Sequence, residues 1–216
     1  MRAPTPRRAR FAILAGLALA LVGCDSFSLP DQFLLPGEGD IALSLTVDKS
    51  TAERLNGTVG LLPSGGSGAY TFEITADDLY SGTSTQGLGS ISGLSYTAGG
   101  AIGKIRIMVR DDAGSSGVAY VSVLPSTPMF TIATSKRLGS GADVNLFWSY
   151  ADTDFDRYRL ELAIDSQSYS EVPGSSKATT SYTGNSLPDG NIYYYRLFTI
   201  AGSYESAPAL ISLPRP

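Results

Sequence analysis

The sequence predicts an all-β chain of two consecutive antiparallel β-sandwiches, placed after a secretory leader and a short tether. Three observations carry this expectation. From residue 41 onward the apolar residues recur with a period of two, as a sheet with one wet face requires. Gly-rich and Asp-rich turns interrupt those runs every few residues, and composition follows the same pattern, with 24 Gly, 12 Pro, 12 Tyr and only 17% charged residues. Finally, Pro125-Ser126-Thr127-Pro128 breaks the alternation at one place, because two prolines so close together do not fit inside a central strand. The expected units are 1–23 as leader, 24–40 as tether, 41–125 as the first sandwich and 126–216 as the second.

The leader comes first. MRAPTPRRAR is a basic stretch, and residues 11–23, FAILAGLALALVG, are uncharged and mostly apolar. A membrane-spanning helix needs ~20 such residues, so this shorter run fits the apolar core of a signal peptide. It ends in Leu21-Val22-Gly23-Cys24, and Cys24 is the only cysteine of the chain. These residues resemble the lipobox of bacterial lipoproteins. That resemblance implies cleavage before Cys24, a thioether-linked diacylglycerol on its sulfur, acylation of the new amine, and location in a bacterial cell envelope on either membrane. Each buried CH₂ contributes about 0.8 kcal/mol, so one chain anchors marginally and several anchor durably. Loss of Arg2, Arg7, Arg8 and Arg10 with the leader makes the mature chain more acidic than the −4 of the whole sequence, which argues against nucleic acid as a partner.

Residues 25–40, DSFSLPDQFLLPGEGD, keep no period and read as an extended linker, spanning roughly 20–25 Å by random-coil scaling. Phe27, Leu29, Phe33, Leu34 and Leu35 would pack on the bilayer, the first sandwich or a partner. A tacked-down arm and a loose one both stay open.

In the first sandwich Ile41, Leu43, Leu45 and Val47 alternate, as do Tyr70, Phe72 and Ile74, then Ile105, Ile107 and Val109, then Ala119, Val121 and Val123. Turns fall at Ser64–Gly68, at Ala98-Gly99-Gly100 and at Asp111–Gly117. The Gly-Gly-x-Gly-x-Tyr-x-Phe stretch (65–72), Gly-x-Ile-x-Gly (89–93) and the closing hairpin resemble bacterial immunoglobulin-like domains; a cadherin-like sandwich reads similarly.

In the second, Val144, Leu146 and Trp148 alternate, followed by Tyr158, Leu160, Leu162 and Ile164, then Tyr193, Tyr195 and Leu197, with a last strand over Ala207–Leu213. This segment resembles a fibronectin type III domain, in which Trp148 is the core tryptophan of the second strand. Leu187-Pro188-Asp189-Gly190 followed by Tyr193 has the spacing of that family's tyrosine corner, a buried phenol bonded back to the preceding turn. The proline stands one residue earlier than the family's usual pattern.

Chemistry is largely excluded. Without histidine and with one cysteine there is no Ser–His–Asp or Cys–His pair, no Cys/His zinc site and no intramolecular disulfide. No Ser-x-x-Lys spacing occurs, and a carboxylate-pair hydrolase needs a deep cleft that two short sandwiches do not provide. No catalytic residue, cofactor or metal site is therefore assigned. Asp152, Asp154 and Asp156 form a D-x-D-x-D run that invites calcium, but an EF-hand loop would need Gly and a carboxylate where Arg157 and Ala163 stand. The run reads instead as a solvated loop offset by Arg157 and Arg159. Asp111-Asp112 reads as a hairpin turn. Tyr194, Phe198 and Ile200 fall on the outward face of their strand and form the expected interface, between the sandwiches or with a partner. The function expected is a non-catalytic binding or structural module held near a membrane. Its partner is an envelope protein, or alternatively a glycan in an adhesion role; a hydrolase is the third reading.

Overall fold

In the computed structural model, residues 42–138, 141–150, 153–165 and 167–214 are described, which places the leader, Cys24, the tether and Asp152 outside the described residues. Among the described residues sixteen strands run in chain order. The first eight are β1 (Ser44–Val47), β2 (Thr51–Glu53), β3 (Thr58–Ser64), β4 (Thr71–Leu79), β5 (Gly89–Ser92), β6 (Ser95–Ala98), β7 (Gly103–Arg110) and β8 (Ser116–Leu124). They form two four-stranded sheets, β1-β3-β6-β5 and β2-β8-β7-β4. The pairing follows from the alternation: Ile105, Ile107, Val109, Val121 and Val123 are fully buried and face Leu45, Val59, Leu61 and Tyr96 across one core. One pair departs from the antiparallel expectation. Thr51–Glu53 runs parallel to Ser122–Leu124, because the chain crosses from the first sheet to the second at Asp48–Ser50 without reversing direction.

Tyr70 departs too. It keeps the parity of Phe72 and Ile74 but is 37% exposed, since its hydroxyl donates to the Gly65 carbonyl at 2.8 Å and holds the glycine turn instead of filling the core. The same turn explains Asp111 and Asp112. Asp111 Oδ2 accepts from the Ser67 N–H at 3.0 Å, Asp111 Oδ1 from Ser115 N–H at 2.7 Å, and Asp112 Oδ2 from Ala69 N–H at 3.0 Å. Gly66 and Gly68 both have positive φ (74° and 78°), and a Cβ on either would run into the Asp111 or Asp112 carboxylate.

The second sandwich contains β9 (Met129–Leu138), β10 (Gly141–Ser149), β11 (Arg157–Ile164), β12 (Ser170–Glu171), β13 (Ser181–Pro188), β14 (Tyr193–Ala201), β15 (Tyr204–Glu205) and β16 (Ala209–Leu213). One sheet is β13-β10-β9; the other is β12-β11-β14, with β15 and β16 both pairing β14. Trp148 is 4% exposed and packs edge-on against Phe130 and Tyr158, with ring centroids 6.4 and 5.8 Å away. Tyr193 and Tyr195 are fully buried. The Tyr193 hydroxyl donates to the Pro188 carbonyl, so the corner closes even though the proline is shifted by a residue. Tyr193→Phe removes that donor from the Pro188 carbonyl and is expected to cost about 1 kcal/mol in urea unfolding, with the sheet registers unchanged. The last strand starts at Ala209, two residues later than expected, because Gly202-Ser203 turns the chain through the short β15 first.

Candidate functional site

The segment at Pro125–Pro128 is held against the first sandwich. Pro125, Ser126 and Pro128 are buried, and the Thr127 N–H donates to Glu53 Oε1 at 2.7 Å. The functional feature that stands out is the junction this creates between the two sandwiches.

The junction is built from three pieces of the first sandwich. After β4 the chain makes a 3-10 turn at Ser81–Thr83, and Tyr80 N–H donates to the Ile102 carbonyl at 2.9 Å while Thr83 Oγ1 accepts from Ile102 N–H at 2.8 Å. This pair of bonds fixes Ile102, whose side chain is fully buried among Leu146, Trp148, Phe155, Tyr158 and their neighbours in the core of the second sandwich. Tyr80 packs on the same cluster. The third piece is Arg54, just after β2, with 3% of its surface exposed.

The loop before β11 meets these pieces with carboxylates. Arg54 Nη2 donates to Gln86 Oε1 at 2.6 Å and lies 3.3 Å from Asp154 Oδ2, and Gln86 Nε2 donates to the same Asp154 oxygen at 2.8 Å. Asp156 Oδ1 accepts from the Tyr80 hydroxyl at 2.5 Å, and its Oδ2 accepts from Gly202 N–H at 2.7 Å. Farther along, the Tyr204 hydroxyl is 3.1 Å from both the carbonyl and Oδ2 of Asp78. Hydrogen bonds to the charged form favour it. The Gln86 amide, followed by Arg54, holds Asp154 below the usual carboxylate range, and Tyr80, followed by the Gly202 amide, does the same for Asp156. Conversely, the bond to Asp156 and burial push Tyr80 up to about 12.

The D-x-D-x-D run is therefore more than a solvated loop, because Asp154 Oδ2 and Asp156 Oδ1 each bond to the first sandwich across the junction. Among the described residues no group of three acidic or Cys side chains is placed to hold a metal ion. Nor do Arg157 and Arg159 offset the run: Arg157 pairs with Glu171 at 2.8 Å, and Arg159 with Glu161 and Glu205 at 3.0 and 2.7 Å.

The outward row needs a correction as well. Phe198 is on the expected face but is 6% exposed, because the Arg159 guanidinium lies 4.4 Å over its ring and Arg196, bonded to Glu161, covers its flank at 5.7 Å. Tyr194 and Ile200 are half-buried. Stacked guanidiniums thus replace the open apolar row that the sequence predicts. Cys24 lies outside the described residues. Sequence reasoning overlooked Arg54, Tyr80, Gln86 and Ile102. Two signals were there to find: Arg54 continues the inward parity of Ala52, and Ile102 is a lone branched residue in a Gly-rich turn.

No family model matches the chain, and a comparison with curated proteins finds no match. Among solved structures, the chain is similar to a two-domain fibronectin type III segment from chicken tenascin, at 14% identity and a TM-score of 0.48, over 80% of this chain and 99% of that one. It is also similar to the FN1–FN3 domains of chicken CNTN1, at 11% identity and a TM-score of 0.34, over 79% of this chain and 64% of that one. These are likenesses of β-sandwich fold.

Proposed function

We propose that the chain is a lipid-anchored protein of a bacterial cell envelope, whose two sandwiches act as one stiff, non-catalytic arm presenting a binding surface near a membrane. The observation that carries this reading is the junction: a spacer that must hold a surface at a fixed height needs its segments locked, and here Ile102 is inserted in the neighbouring core while Asp154 and Asp156 bond across. Diacylglycerol on Cys24 fastens the arm, and residues 25–40 link it to the first sandwich. Confinement to a thin layer raises the effective concentration of the arm for an envelope protein in the same layer, and stiffness lowers the ordering cost of each encounter.

The test is fractionation and mass measurement of the protein from its native membrane. The wild type is expected in the membrane fraction with acyl mass on an N-terminal Cys24, and Cys24→Ala in the soluble fraction without acyl mass. An unmodified thiol at Cys24 in membrane-extracted protein would refute the anchor.

A further inference from the structure

We propose that the free edge of β13 is a docking site for an uncharged, extended peptide, which adds to the sheet as a short strand and places one apolar side chain over Trp148. The inference deepens the reading of the chain as a protein-binding arm, and rests on it, by naming what the arm holds.

The register of β13 against β10 decides which backbone groups are free. Trp148 N–H donates to the Thr180 carbonyl at 3.0 Å, so that pair is a hydrogen-bonded one. In an antiparallel ladder such pairs alternate with pairs whose N–H and C=O groups point away from the partner strand. Ser181 (opposite Phe147) and Thr183 (opposite Asn145) are therefore the residues that turn both backbone groups outward, whereas Tyr182, opposite Leu146, bonds inward. β13 is the edge of its sheet, and no described residue pairs with Ser181 or Thr183 on that side. Two donors and two acceptors at strand spacing are what an added strand needs.

The edge opens on a cleft of about 190 Å³ floored by Trp148 and Tyr182. That is less than the ~300 Å³ at which small-ligand pockets begin, and suits a single large side chain. No charged side chain lines it, which selects an uncharged occupant. The opposite wall cannot compete for the added strand. Val172 N–H is committed to the Leu160 carbonyl at 2.8 Å, and the next residue, Pro173, has no N–H. The usable edge is short, because the register shifts between Ala142 and Val144 and Ser186 takes a φ of 55°. A strand of about three residues is the most that fits.

The probe is the capped peptide acetyl-Thr-Thr-Leu-Thr-Thr-amide, titrated into the full chain. Trp148 is the sole tryptophan, and its buried Nε1–H has no hydrogen-bond partner among the described residues, so its emission reports on the cleft directly. A saturable emission change is expected, with slowed amide exchange at Ser181 and Thr183. Thr183→Pro removes one outward N–H without touching the β10 ladder and should weaken binding on the order of tenfold or more. Thr183→Val keeps that N–H and should bind as the wild type. N-methylation of the peptide along one strand edge should abolish binding, while methylation along the other leaves it intact; this arm leaves the protein unaltered. The proposal is overturned if millimolar peptide changes neither emission nor exchange, or if both Thr183→Pro and the N-methylated peptides bind normally. A response to a neutral oligosaccharide such as chitotriose in place of the peptide overturns it as well. None of these outcomes bears on acylation of Cys24, so the anchor stands or falls separately.

Discussion

Ile102→Ala is expected to destabilise the second sandwich by about 2–5 kcal/mol, although Ile102 belongs by sequence to the first. The side chain is fully buried in the cluster of Val144, Leu146, Trp148 and Tyr158, so its removal leaves a hole in a core to which the rest of the first sandwich contributes little beyond Tyr80. Refilling the hole would require Tyr80 and the 3-10 turn to move together, and the Thr83–Ile102 bond at 2.8 Å opposes that. Differential scanning calorimetry of the residue 41–216 segment should show one cooperative transition in the wild type. In the variant the second sandwich should melt first, leaving the transition of the first nearly in place. Proteolysis at Pro125–Pro128, buried in the wild type, should accelerate in parallel. Unchanged melting of both sandwiches would mean that the inserted side chain does not couple them.

The strand alternation, the two cores and the tyrosine corner were legible in the sequence because each depends on residues within one strand or one turn. Val144, Leu146 and Trp148 can be read inward from parity alone, and Tyr193 from its distance to Pro188. The junction depends on contacts of another kind. Arg54 meets Asp154 across 100 residues and Tyr204 meets Asp78 across 126, and no local periodicity encodes such meetings. Phe198 failed for a related reason. Its parity gave the face correctly, but the cover comes from Arg159 on the neighbouring strand, directly opposite in the register, and from Arg196 two residues back on its own. Parity assigns a side to a residue; the long side chains around it decide whether that side is open.

Arg54→Ala is expected to cost about 1–3 kcal/mol and to change how the junction responds to acid. The guanidinium is nearly fully buried, and deleting it removes the hydrogen bond that Gln86 Oε1 accepts and the ion pair with Asp154. Asp154 itself keeps a third of its side chain in water, which places the cost below that of breaking a wholly buried pair. The sign of the pH effect follows from the lowered pKa values of Asp154 and Asp156. A carboxylate whose pKa is depressed by folding stabilises the fold fully above its unfolded value of about 4, and loses that contribution as pH falls through the depressed one. Tyr80 works at the other end: its stabilisation is complete below its unfolded value of about 10 and is lost as pH rises through about 12. Urea unfolding between pH 2 and pH 7 should therefore show stability falling on the acid side in the wild type. In Arg54→Ala the slope should be shallower, with the part due to Asp156 retained. Asp156→Asn should remove that remaining part and leave Arg54, Gln86 and Asp154 paired. Equal acid slopes in all three proteins would show that these carboxylates contribute nothing to holding the sandwiches together.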